Sequence, residues 1–299
     1  MVEEIVLKAK VLQSALPYIR EFYGKTFVIK YGGSAMTDES LRESFAKDVV
    51  LLRYVGIRVV IVHGGGPQIS QTLERFGVRA HFVGGMRKTD EETMHVVEMV
   101  LSGDINKDIV ALINRYSGRN IYAVGLSGRD GQLIRAKKLN KEEYFRSLGL
   151  EVPKEDIGYV GQVEDINVEL LQTLMEKGYI PVIAPVGVGD YGEAYNINAD
   201  LAASHMAMAL KAEKLIFLTD TEGVKDREGK LISTLKKEEA LRLISQDVIR
   251  GGMLPKVKGA LEALQSGVKK VHIIDGRVFH SILLEVFTEE GVGTEIVEY

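Results

Sequence analysis

Lys30 and two glycine-rich turns carry most of the chemistry that the residues of this sequence offer by themselves. Lys30 interrupts an apolar strand-like run, Phe27-Val-Ile-Lys30-Tyr-Gly32-Gly33. A lysine is rarely buried without a partner, but at a strand's carboxyl end its ammonium can reach into a ligand crevice. The segment His63-Gly64-Gly65-Gly66-Pro67 ends a second apolar run in the same way. Glycines at such ends let backbone N–H groups approach an anion without Cβ interference, and a following helix N-terminus adds favourable partial charge. Either turn alone could be a tight bend without a ligand; two at equivalent positions point to a shared anion site. Lys256 follows another diglycine, Gly251-Gly252, and from local sequence reads as a solvated lysine beside Lys258. The Asn196-Ile-Asn198-Ala-Asp200 segment precedes a run of small residues. It reads equally as a polar site or as a turn with Asp200 capping a helix.

Two other glycine patterns fail on context. Gly187-Val-Gly-Asp-Tyr-Gly192 has dinucleotide-fingerprint spacing but is not followed at once by a helix. Gly24-Lys25-Thr26 resembles the tail of a P-loop but precedes a strand instead of following one.

These residues sit in a rhythm of short β-branched runs and helical stretches. The runs at 26–32, 57–64, 120–128, 179–187, 214–220 and 269–275 are nearly continuous in apolar residues, as parallel strands covered on both faces should be. The stretches 41–56 and 168–178 have helical character and end on glycine. The expected fold class is α/β: an open, mainly parallel central sheet with helices on both faces, in two lobes. Residues 135–165 are polar and read as an excursion with small antiparallel strands, and 225–235 as a hairpin turning at Glu228-Gly229. The expected division is 1–24, 25–190 and 191–299. In the first segment Val2, Ile5, Val6, Leu12, Leu16, Ile19 and Phe22 follow helical spacing, and Pro17 should kink the helix. That helix is either a cover for its own core or an arm for another chain.

Composition narrows the remainder. The 299 residues carry a formal charge of −4, which gives no footprint for nucleic acid or anionic lipid. Without cysteine there is no disulfide, thiolate metal site or cysteine nucleophile. No apolar run is long enough to span a bilayer and the N-terminus lacks the pattern of a secretory signal, so a cytoplasmic protein is expected.

Taken together, the motifs resemble the amino acid kinase family across residues 25–299, and within it the branch acting on N-acetyl-L-glutamate. Its K-x-G-G is Lys30 to Gly33, its H-G-G-G-P is His63 to Pro67, and its G-x-R-x-T is Gly85 to Thr89. N-x-N-A-D is Asn196 to Asp200, T-D-x-x-G-V is Thr219 to Val224, and G-G-M-x-x-K-V is Gly251 to Val257. The resemblance implies transfer of the ATP γ-phosphoryl group to the acceptor's γ-carboxylate, in arginine biosynthesis, with Mg2+ entering on ATP and no tightly bound cofactor. It implies Lys30 and Lys256 on the phosphoryl group, with Asp200 holding both. It gives Gly65, Gly66, Arg87 and Asn196 to the acceptor. It gives Gly32, Gly33, Asp220, Thr221, Glu222, Gly223, Val224 and Lys225 to the nucleotide, with the loop from Val248 to Arg250 nearby.

Some family members are hexamers built through an N-terminal helix, are inhibited by arginine, and carry E-x-F-[ST]-x-x-G-x-G-[ST] near the C-terminus. Here that is Glu285 to Thr294, and it makes Glu285 and Gly291 candidates for an arginine site. Some members also bind a PII-type protein, for which this sequence gives no sign of its own. The alternatives are a family member with another acceptor and a non-catalytic arginine sensor.

Overall fold

A computed structural model of the chain describes residues 2–299, with the side chains of all of these except residues 2–5, 7 and 8. The side chains of Val2 and Ile5 therefore lie outside the described residues.

Helix α1 (Val2–Phe22) runs through Pro17 without interruption. Strand β1 (Thr26–Tyr31), helix α2 (Glu39–Tyr54), β2 (Arg58–His63) and α3 (Gly66–Arg75) follow. A small hairpin pairs β3 (Phe82–Val83) with β4 (Met86–Arg87). Helix α4 (Glu91–Glu98) passes through a π-helical turn at Met99–Ile105 into α5 (Asn106–Ser117), and β5 (Tyr122–Ser127) comes next. The expected excursion contains β6 (Ile134–Lys138), α6 (Lys141–Ser147) and β7 (Gly161–Ile166), with β6 and β7 antiparallel. The order continues with α7 (Val168–Glu176), β8 (Tyr179–Ala184), β9 (Val186–Val188), β10 (Ala194–Asn196), α8 (Ala199–Leu210) and β11 (Lys214–Thr219). It ends with β12 (Thr234–Lys236), α9 (Lys237–Ser245), α10 (Met253–Gln265), β13 (Lys270–Asp275), α11 (Ser281–Phe287) and β14 (Thr294–Val297).

One eight-stranded sheet runs through the chain in the order β12-β14-β13-β11-β1-β2-β8-β5. All its pairings are parallel except β13 with β14. The near-continuous apolar runs become the central strands because both faces are covered. On β1, Phe27, Ile29 and Tyr31 enter one core cluster, while Val28 enters the other. By the same alternation Lys30 projects on the face of Val28, the face that α8 and α10 cover.

Gly187 to Gly192, with its dinucleotide-fingerprint spacing, forms the end of β9 and the turn that leads to its antiparallel partner β10. The run at 179–187 divides at Pro185 into β8 and β9. Helix α6 was not foreseen, being a single short helix inside a polar segment. Near residue 228, Lys225 and Leu231 bridge antiparallel across the expected turn. The N-terminal helix covers its own core only at its end: Phe22 is buried and Tyr18 packs on the core, while Val6, Val11, Leu12 and Leu16 are exposed.

Candidate functional site

The carboxyl ends of β1, β2 and β11 open onto one crevice, and most of the singled-out residues reach it. Helix α8 starts at its mouth. Its cap is Asn198, whose side chain accepts from the Asp200 and Leu201 N–H groups. This corrects the expectation that Asp200 caps the helix. With Asn198 satisfying the backbone donors, the Asp200 carboxylate in the first turn is free for other partners.

Those partners are the two lysines. Lys30 Nζ lies 3.1 Å from Asp200 Oδ1, and Lys256 Nζ donates to Asp200 Oδ2. All three side chains are largely withdrawn from solvent, with 13–18% exposed. Burial alone would raise the Asp200 pKa, but the charges of Lys30 and Lys256 outweigh it and hold the carboxyl at about 2. Strand β1 supplies one ammonium and the first turn of α10 the other, so an anion entering the crevice meets positive charge from two sides. Around them, Lys30, Gly33, Asp200, Thr219, Asp220, Gly251, Gly252 and Lys256 line a cleft of about 760 Å³. Gly33 has φ +72°, and a Cβ there would sit 2.6 Å from Asp220 Oδ1, so glycine is required on both counts. Its neighbour Ser34 donates its N–H to that same oxygen.

A second cleft, of about 190 Å³, adjoins the first and includes Gly64, Gly65, Gly66, Arg87, Asn196 and Asn198 in its wall. A Cβ on Gly65 would collide with the side chains of Ile105 and Leu101 from the π-helical turn. Arg87 is buried, with Nη2 donating at 2.8 Å to both Gly66 O and Ser70 Oγ, and its guanidinium packs on the Phe82 ring at 4.7 Å. Its Nη1 is buried with no partner among the described residues. A charged donor left open beside a cleft is the arrangement that receives a carboxylate. Asn196 Nδ2 donates to Thr89 Oγ1 at 3.1 Å, which orients its amide at the cleft wall.

A third recess, of about 450 Å³, is lined by Asp220, Thr221, Glu222, Gly223, Val224 and Lys225, with Val248, Ile249, Arg250 and Arg277 opposite. It shares Asp220, Thr221 and Met253 with the large cleft, so the two are continuous. Gly32 borders none of these three linings, although it directly precedes Gly33.

Glu285 and Gly291 lie elsewhere, in a recess of about 340 Å³ between α1 and α11. Glu285 Oε1 is 2.6 Å from His272 Nδ1, and Glu285 Oε2 accepts the Val292 N–H at 2.8 Å. Lys214 Nζ is 3.0 Å from His272 Nε2 and stands over the Phe22 ring at 5.0 Å. Burial, aided by the charge of Lys270, pushes the Lys214 pKa down to about 8.

Sequence reasoning missed Ser70, Tyr144, Leu148 and Arg277. Ser70 stands one helical turn after the Gly66-Pro67 start of α3, so it could have been found as the residue facing the same side as that turn. Tyr144 and Leu148 reach the large cleft from the excursion, and nothing in their local pattern announces it. Among the described residues no group of three or more acidic or imidazole side chains could hold a metal ion. No described helix is long and apolar enough to cross a membrane.

Comparison with known proteins adds relatives to this geometry. The model of the amino acid kinase family matches residues 25–275. The chain is 75% identical over 293 residues to the acetylglutamate kinase of Aquifex aeolicus, covering 98% of each chain. Among solved structures it resembles the N-acetylglutamate synthase of Neisseria gonorrhoeae complexed with coenzyme A and N-acetyl-glutamate. That likeness has a TM-score of 0.83 at 27% identity and covers 97% of this chain and 63% of the synthase chain. The same synthase complexed with coenzyme A and L-arginine gives 0.82 at 26% identity.

Proposed function

Since the chain belongs to the amino acid kinase family, we infer that it is an acetylglutamate kinase, transferring the γ-phosphoryl group of ATP to the γ-carboxylate of N-acetyl-L-glutamate in arginine biosynthesis. The observation that carries this is the Lys30–Asp200–Lys256 cluster in the large cleft, which adjoins the Arg87 cleft and continues into the recess at residues 220–226. The acceptor is already an anion and needs no strong general base. What the protein must do is bring two negative groups in line and stabilise the charge that spreads over the transferring group. Lys30 serves from the acceptor side and Lys256 from the donor side, while Asp200 keeps both ammonium groups aimed at the gap. Gly65 and Gly66 N–H groups and the free Nη1 of Arg87 hold the acceptor's carboxylates, and Asn196 takes the acetamido group. ATP lies along Gly32-Gly33 and residues 220–225, and Mg2+ arrives as part of that substrate. In this reading residues 25–190 carry most of the acceptor site and 191–299 most of the nucleotide site, with Asn196 and Gly32-Gly33 crossing between them.

A coupled assay for ADP release, with and without N-acetylglutamate, tests the function: turnover that ignores the acceptor refutes it. The acceptor assignment has its own check. Arg87→Lys replaces a planar fork by a point charge and should raise KM for N-acetylglutamate about 10- to 100-fold, with KM for ATP within twofold. A KM unchanged for the acceptor removes Arg87 from its site.

A second reading concerns regulation. The recess around Glu285 is rich in carboxylates, with Glu21, Glu285, Glu289, Glu290 and Glu295 against Lys214 and Lys270, and suits a ligand with two cationic groups. The likeness to a synthase solved with L-arginine supports arginine as that ligand. The exposed apolar side chains of Val6, Val11, Leu12 and Leu16 suit α1 as an arm that joins copies into a hexamer. Deleting residues 1–16, which spares buried Phe22, should abolish both the hexamer in light scattering and inhibition by arginine, and leave basal turnover intact. A hexamer that survives the deletion overturns this reading.

A further inference from the structure

Beneath the Gly64-Gly65-Gly66 turn lies a polar contact that the proposed mechanism has not used. Asn106 is completely buried at the junction of the π-helical turn and α5. Its Nδ2 lies 2.9 Å from Val182 O, 3.4 Å from Leu126 O and 3.2 Å from His63 Nε2. Its Oδ1 receives Lys107 Nζ at 3.1 Å. Val182 O on one side and the Lys107 ammonium on the other fix the sense of the amide: Nδ2 gives one hydrogen to Val182 O and turns the other to His63 Nε2, with Leu126 O farther off. Room for this amide comes from β5, where a Cβ on Gly125 would collide with Asn106 Oδ1.

The consequence for His63 follows from donor and acceptor chemistry. A ring nitrogen that receives the Asn106 amide proton carries none itself, so the proton of neutral His63 is on Nδ1. Burial pushes the His63 pKa down to about 4, and the nearby charge of Lys107 acts in the same direction. Nδ1 then donates to Gly64 O at 2.9 Å. The Gly64 carbonyl and the Gly65 N–H belong to one trans peptide, and they point in opposite directions. The preceding N–H, on Gly64, is already given to Tyr31 O at 2.8 Å. The Gly65 N–H has no acceptor among the described residues, and Gly65 lines the acceptor cleft.

We propose that Asn106 is a positioning residue for phosphoryl transfer: it holds His63 as the Nδ1–H tautomer, and His63 thereby aims the Gly65 N–H at the acceptor's reacting carboxylate. This rests on the acceptor reading given above. The π-helical turn is the structural means, since the same turn that brings Asn106 under His63 also presses Leu101 and Ile105 against Gly65.

The test uses the full chain and two readouts. In protein labelled with 15N-histidine, with the signal identified by its loss in His63→Asn, the wild-type ring should carry one proton, on Nδ1, and should not titrate between pH 5 and 9. Asn106→Ala should introduce the Nε2–H form and lower kcat/KM for N-acetylglutamate about 10- to 100-fold, with KM for ATP within twofold. His63→Asn places an amide donor at the Nδ1 position without needing Asn106. In that background Asn106→Ala should cost less than about threefold, a non-additivity that a purely structural asparagine would not produce. Equal losses in both backgrounds, or a wild-type proton on Nε2, overturn the proposal. Should Asn106→Ala fail to fold, His63→Asn must still outperform His63→Gln, which puts its nitrogen at the Nε2 position; the reverse order overturns it. Wild-type turnover judges the acceptor reading independently, and the tautomer is read without substrate.

Discussion

Lys30→Ala should lower kcat about 100- to 1000-fold, the loss expected when one preorganised donor to a developing charge is removed. Steady-state kinetics with both substrates should also show KM for ATP little changed, because Lys30 is absent from the lining of the recess built from residues 220–226, 248–250, 253 and 277, which the proposed function gives to the nucleotide. Lys30→Arg should rescue little. A guanidinium is longer and planar, and Asp200 already gives one oxygen to Lys256, so it cannot offer both to a bidentate fork. Lys256→Ala should produce a comparable loss, and the double variant should lose less than the product of the two if, as proposed, both ammonium groups act on one phosphoryl group. Near-normal turnover of Lys30→Ala removes the lysine pair from the mechanism.

Asp200→Asn has a double effect. It leaves two ammonium groups facing each other without their shared anion, so kcat/KM should fall by about 100-fold or more as both swing away from the gap. The fold should also lose stability, on the order of 2 kcal/mol at pH 7, because a carboxyl held at about 2 against its ordinary 3.8 stabilises the native state by the difference in proton affinity. The sign is set by the direction of the shift. A folded pKa below the unfolded one gives stability that is complete above about pH 4 and disappears as pH falls towards 2. Urea unfolding of wild type and variant should therefore diverge at pH 7 and converge as pH is lowered below 4. A gap that stays constant, or widens in acid, is incompatible with the ion-paired carboxylate.

The parallel sheet was legible because its strands are buried on both faces, which erases the alternation that an exposed sheet would show. Lys30 stood out for the same reason: a charge in such a run has to find a partner, and its partner is Asp200. Lys256 gave no such signal. It precedes a helix next to Lys258, and only the approach of α10 to α8 separates it from an ordinary surface lysine. Asp200 was half legible. The helix start was evident, but which side chain of the NxNxD segment would cap it depends on backbone geometry that sequence does not express, and Asn198 took that role. Tyr144 and Leu148 were out of reach, since the path of residues 135–165 back to the cleft is a tertiary fact. Asn106 was hidden by register. Met99–Ile105 winds as a π-helix, so a wheel drawn at ordinary helical spacing places the next asparagine wrongly.

The strand order also sets a timetable for synthesis. β1 leaves the ribosome early, yet one of its edges is completed only by β11, whose Lys214 to Phe217 pair with Phe27 to Lys30. At elongation rates of about 5–20 residues per second, the wait lasts roughly 10–40 s. Throughout it, the apolar strand that carries Lys30 offers an open edge to any neighbouring chain. Residues 25–190 and 191–299 share one sheet and are therefore not separate folding units: cutting the chain between them would leave the strand that carries Lys30 at a permanent sheet edge. In the intact chain that edge closes only when β11 arrives, so the crevice at the carboxyl ends of β1 and β11 cannot form before then.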